Sequence, residues 1–362
     1  MSVQELPATR STPGEGLKCA LGRIANRASE LDSEPRFPTE NFTDLAAAGV
    51  FTAPPDGIAG EVRLVRAVAA ADASTARILD GHLNGIERLT LAAPEPLRSS
   101  ELTQIYEGKL LLGVWGADPT ANEGPPARLE QADGQLVLRG VKTFCSGAGG
   151  VQRALVIAAD QDGSRRLVYL DTTSGVNVDR GWYRASGLRS SESHRVEFHD
   201  TPVLALLGGP SELSREPYFS RDAIRTSATW AGLADCIIAE TLAALDPARL
   251  EAVQAHALGR MRVAQGTINR WLQHTTTELD QLGDPRPGID PAVLAVECRV
   301  ALYECALLIS GQAARVCGSR ALIGASTLDR ARRDLDLFLL QHRLDPKITK
   351  LGAEILDRFD GR

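Results

Sequence analysis

The feature that most constrains this chain is a change of hydrophobic period near Leu110 and a change back after Pro217. On either side, apolar residues recur at helical spacing. Between them stand short β-rich runs, Gln135 to Arg139, Ala154 to Ala158, Leu167 to Leu170 and Arg195 to Phe198, separated by Gly, Asp and Ser turns. A period of 3.6 and a period of two bury different faces, so the two textures belong to different layers. With 362 residues and roughly 150 per domain, two or three domains are expected.

The pattern predicts an α+β fold: an N-terminal α-helical domain, a central antiparallel β-domain forming a small sandwich or barrel, and a C-terminal four-helix-bundle domain. The boundaries fall at 16–109, 110–212 and 213–362, after a flexible leader over 1–15 rich in Ser, Pro, Thr and Glu. Thr39 to Gly49 has capping residues, an Ala/Leu interior and a Gly stop. Val62 to Leu79 reads as one further helical stretch. Arg221 to Leu245, Ala248 to Leu282 and Pro291 to Cys317 are long amphipathic segments, the last opened by the Asp290-Pro291 start signal.

Charge and cysteine usage exclude several classes. A net charge of −6 offers nothing to nucleic acid or an anionic membrane surface. No apolar run approaches the roughly 20 residues of a membrane span. The leader lacks the apolar core of a secretion signal, so a cytoplasmic location is expected. The six cysteines have no metal-ligand spacing; they read as free thiols, with Cys298 and Cys305 on one helix face, and no metal is expected.

Three segments carry the chemistry: Trp115 to Pro119, Gly140 to Ala148, and Gly187 to Val203. A flat aromatic ligand needs an aromatic wall and a donor at its polar edge. In a strand, Phe144 and Ser146 share one face and Cys145 takes the other. The bland alternative is a core Phe and a turn Ser.

In this order, within a helical–β–helical chain, the three segments resemble the acyl-CoA dehydrogenase superfamily. The resemblance runs from about Phe37 to Gly352. It implies a flavin cofactor, FAD with FMN as the alternative, contacted by Trp115, Ala117, Phe144, Cys145 and Ser146. Ala117 stands where the family commonly has a hydroxyl. His256 to Gly266 resembles the segment whose arginine reaches the FAD pyrophosphate across a subunit interface, which maps onto Arg260, with Gln265 beside it. Near Val316 only Gly318 remains of the family's Gly-Gly pair, and Arg315 replaces its Gln. Homodimers or homotetramers follow as an expectation.

The resemblance implies dehydrogenation of an acyl thioester, with hydride transfer to flavin N5 and electrons passed to an acceptor. The family's catalytic Glu is absent here. His342 occupies its position, and the family's other site for it aligns near Ile224, with Asp222 two residues away. A histidine there also resembles the superfamily's monooxygenase branch, which takes reduced flavin from a partner reductase. His82 is the second candidate catalytic histidine. A third reading is a non-catalytic scaffold of the same fold.

Overall fold

The computed structural model describes residues 14–52, 55, 57–280, 289–323, 326–341 and 343–360. Most of the leader and His342 lie outside the described residues. Five helices come first: α1 (Glu15–Ser33), α2 (Thr39–Ala47), α3 (Gly57–Ala71), α4 (Ala73–Ala92) and α5 (Leu97–Tyr106). Seven strands follow: β1 (Leu112–Trp115), β2 (Arg128–Ala132), β3 (Gln135–Cys145), β4 (Arg153–Ala159), β5 (Arg165–Asp171), β6 (Val176–Asp179) and β7 (His194–Leu207). Then come α6 (Tyr218–Ala243), α7 (Ala252–Asp280), α8 (Pro291–Cys317), α9 (Thr327–Gln341) and α10 (Asp345–Asp360).

Local signals explain the helix ends. α1 buries Ala20, Ile24, Ala28 and Leu31, one stripe at helical spacing. α8 begins as the sequence indicates: the Asp290 carboxylate accepts from the Ala292 amide, and Pro291 fills the first turn. It ends at Gly318, whose φ of +67° is a conformation that Gly adopts without steric cost. The stretch from Val62 to Leu79 is not one helix. Asp72 is extended and caps a new one, its carboxylate accepting from the Thr75 amide and hydroxyl.

The strands close into a ring. β4, β5, β7, β3 and β2 pair in succession, and β2 returns to β4 through Arg128 and Ala159. All pairings in the sheet are antiparallel except those of β1 and β2 with β4, which are parallel. The expected antiparallel domain is therefore corrected at this one edge.

A single hydrophobic cluster runs from Ile24 to Leu344 through both helical regions and the sheet. α3 packs against α6 as well as α4, so an N-terminal helix lies on the C-terminal helices. A smaller cluster of Leu89, Ile105, Leu112, Tyr169 and Leu207 sits beside α5. No described helix is long and apolar enough to cross a membrane.

The Asp72 cap yields a stability prediction. Asp72→Ala removes the α4 cap and leaves buried Thr75 bonded only to Asn41. Urea unfolding is expected to show a loss of about 1–2 kcal/mol; no change would mean the cap is idle.

Candidate functional site

The site is built where β3 ends. A register shift between Lys142 and Cys145 coincides with a φ of +51° at Phe144. The shift breaks strand alternation, and Ser146 follows after the strand has stopped. Phe144 and Ser146 therefore do not share a strand face. Phe144 is turned outward, 45% exposed, and its ring meets Trp182 edge to face at 5.0 Å. Cys145 points into the core, where burial raises its thiol well above the usual range.

Ser146 is held from both sides. Its carbonyl accepts from Trp115 Nε1 at 3.0 Å, and its hydroxyl meets that of Ser193 at 2.9 Å. Ser193 continues to Ser191 at 2.7 Å. Tyr183 borders this chain; burial raises its phenol to about 12, with hydrogen bonds to Ser191 and Ser193 working the other way. Trp115 is fully buried and packs on Phe198, so its side chain positions the Ser146 turn from within the core. Ala117 is exposed and accepts the Thr143 amide through its carbonyl. Beside it, burial opposes ionisation of Asp118, but Lys142 and Arg165 outweigh that and hold its carboxyl below the ordinary value.

The segment 187–194 is strapped onto the helices. The Leu188 amide donates to Asp334 Oδ1 at 2.6 Å. Gly187 lies so close to α9 that an added Cβ would stand 2.4 Å from the Arg333 carbonyl oxygen. Arg333 in turn pairs with Asp32 and Asp329. On the other side, the carbonyls of Ser191 and Glu192 accept the amides of Gly147 and Ala148. Trp182 and Tyr183 lie outside the three segments marked by the sequence, whereas Ser191 and Ser193 lie within the third. Two successive aromatics outside any strand, Trp182-Tyr183, were the available signal.

The two histidines differ. His342 lies outside the described residues, immediately after α9. His82 is fully buried in α4; its Nδ1 accepts from the Leu112 amide at 3.1 Å, and Nε2 has no partner among the described residues. Phe51 meets its ring edge-on at 5.3 Å. Burial lowers its pKa to about 3, so it is neutral. Near the family's second base position, Ile224 is buried in the core. Asp222 is clamped by Arg88 and Arg225 in a network that includes Glu61, Glu87 and Asn84.

The remaining candidates lie on the C-terminal helices. Arg260 is exposed on α7 in a groove with His256, Val263 and Leu308. Gln265 lies elsewhere on the helix: its amide donates to Asp235, which also receives Arg66. Gly318 caps α8. α7 packs on α3, α6 and α8, so Arg260 belongs to a different surface from Phe144. No group of three or more potential metal ligands occurs among the described residues.

No family profile matches the chain. A dibenzothiophene monooxygenase from Rhodococcus erythropolis is 28% identical over 160 residues. That match spans 41% of this chain and 38% of the relative, about two fifths of its length. Among solved structures, a methanesulfinate monooxygenase from Pseudomonas fluorescens superposes with a TM-score of 0.82 at 20% identity, covering 96% of this chain and 98% of that one. FMN-bound TdsC from Paenibacillus sp. A11-2 gives 0.81 at 17% identity, covering 95% and 97%. The chain thus has the acyl-CoA dehydrogenase-like fold that its sequence resembles. Dibenzothiophene and methanesulfinate monooxygenases are among the proteins it is similar to.

Asp334 supplies a pH prediction. Burial raises its carboxyl to about 7, against the pull of the Leu188 amide and Arg330. A carboxyl raised in the fold stabilises it most when protonated. The contribution is full below about pH 4 and is lost as the pH climbs through 7. Asp334→Asn keeps an acceptor for Leu188 and stays neutral. Its melting temperature relative to the parent is expected to rise between pH 4 and pH 8; a pH-independent difference would contradict the assignment.

Proposed function

We propose that this chain is the oxygenase component of a two-component, reduced-flavin-dependent monooxygenase. Its substrate would be a small molecule with an oxidisable heteroatom or an electron-rich ring. The observation that carries the reading is the outward Phe144–Trp182 pair beside the Ser146–Ser193–Ser191 chain, in a fold shared with an FMN-bound protein. An aromatic pair at the surface gives a flat ring an apolar wall, and neutral hydroxyls give its polar edge hydrogen bonds without charge. Reduced flavin, when bound, supplies the electrons that activate dioxygen. The chain's own part is to hold the ring, shield it from water and keep proton-bearing groups fixed at its edge.

The acyl thioester reading has weaker support. Dehydrogenation needs a carboxylate free to take a proton. One of the two family positions falls near Ile224, and Asp222, although burial raises its carboxyl to about 7, is paired with Arg88 and Arg225. His342 fills the other position; we assign it the substrate-side proton-handling role. FMN is the proposed flavin, because Arg315 and Gly318 retain little of the family's adenosine-binding residues. Arg260, exposed in its groove beside Val263, which is 70% exposed, is proposed to meet a flavin phosphate across the interface of a homodimer or homotetramer. The outside partner is a flavin reductase.

The test combines two assays. Anaerobic mixing of the flavin-loaded chain with a panel of acyl-CoAs is expected to leave flavin absorbance unchanged. NADH, FMN and a flavin reductase are expected to support substrate-dependent oxygen uptake. Bleaching by an acyl-CoA would sink the proposal. Phe144→Ala is expected to weaken reduced-FMN binding about tenfold. His342→Ala is expected to lower product formation by about 10²-fold with little change in flavin affinity.

A further inference from the structure

A second cavity, of about 240 Å³, lies between the N-terminal ends of α6 and α8 and the helix α10. It shares no residue with the Phe144–Ser146 cluster. Phe219, Ser220 and Ala223 line it from α6, whereas Asp222 and Arg225 on the same helix turn toward α3 and α4. Val293, Val296 and Leu351 make its walls apolar. Arg299 of α8 lines it as well.

Arg299 is the unusual group. It is 3% exposed, and its Nε and Nη2 have no hydrogen-bond partner among the described residues. The ring of Trp230 lies 5.4 Å from its guanidinium carbon. A cation–π contact does not use up the N–H donors, so Nε and Nη2 remain available to an acceptor. Burial lowers its pKa to about 10, and no carboxylate opposes the shift. It stays charged at pH 7. An uncompensated buried guanidinium is costly, and an anion that completes it recovers much of that cost.

Each carboxylate lining the cavity already has a partner, and Glu216 also acts on Lys347. Glu216 accepts from the Ser220 amide, Asp290 caps α8, and Glu354 lies 3.8 Å from Lys350. Lys347 stands over the Phe219 ring with its ammonium 5.6 Å away. A cationic group among apolar walls, in a space below the roughly 300 Å³ of drug-sized pockets, selects a small anion with an apolar body.

We propose that this cavity is a binding site for a small apolar carboxylate, separate from the flavin site, in which Arg299 receives the carboxylate through its N–H edge and Lys347 stands at the rim. Arginine suits the task because its fork matches two carboxylate oxygens.

The probe is benzoate, titrated calorimetrically into the full chain at pH 7, with benzamide as its neutral counterpart. Saturable benzoate binding is expected, at least tenfold tighter than benzamide and unchanged by saturating FMN. A change in tryptophan fluorescence from Trp230 is expected to accompany it. Arg299→Gln is expected to weaken benzoate at least tenfold, Arg299→Lys less. Val296→Trp, which fills the cavity from its wall, decides the matter if Arg299→Gln fails to fold; it is expected to abolish binding. Absent binding, equal affinity for benzamide, competition by FMN, or full affinity in Val296→Trp would each overturn the proposal.

Discussion

The hydrogen bond from the Leu188 amide to Asp334 fastens the barrel's working edge to the helices. It fixes the segment from Gly187 to His194 against α9, while Arg333 ties the same helix to Asp32 of α1. The segment then presents Ser191 and Glu192 to the turn after β3, where their carbonyls take the amides of Gly147 and Ala148. The hydroxyl chain through Ser193 to Ser146 depends on that docking. A buried carboxyl is tolerated here because it accepts a backbone donor that would otherwise be orphaned. Gly187 is part of the same constraint, since only hydrogen fits in place of its Cβ against the α9 backbone.

Features with a local cause were legible in the sequence. The Asp290-Pro291 start, the end of that helix at Cys317 and the switch of period at both edges of the β-region each depend on a few neighbouring residues. The break at Asp72 was missed because strong helix formers flank it, and one capping residue does not show in an averaged pattern. The strand at His194 extends to Leu207, well past Phe198, because pairing with β3, β5 and β6 sustains it through a bulge. The Phe144–Ser146 segment was found, but its geometry was not. Alternation predicts a shared face; the positive φ at Phe144 turns one residue out and lets the next hydroxyl be drawn inward.

Other parts of the site depend on long-range contacts that no spacing encodes. Trp182 reaches Phe144 across 38 positions, and Arg225 gathers carboxylates from α3, α4 and α6. Gln265 is instructive because the spacing did contain the answer. Five residues at about 100° each carry it roughly 140° around the helix from Arg260, so the two face different surroundings, as the Asp235 contact shows.

The arrangement divides the labour between layers. The barrel supplies the exposed Phe144–Trp182 pair and the chain of neutral hydroxyls on which the proposed flavin site rests. The helices narrow the reaction. His82 accepts the Leu112 amide at Nδ1, so its proton sits on Nε2. With a pKa near 3 it stays neutral across the physiological range. A histidine fixed in this way can donate one hydrogen bond, but it cannot serve as a base, because its only lone pair is already engaged. Asp222 sits between its two arginines, yet burial outweighs them and raises its carboxyl to about 7. The helices thus present His82 as a neutral donor and Asp222 as a carboxyl held between two arginines, next to a barrel edge of uncharged hydroxyls.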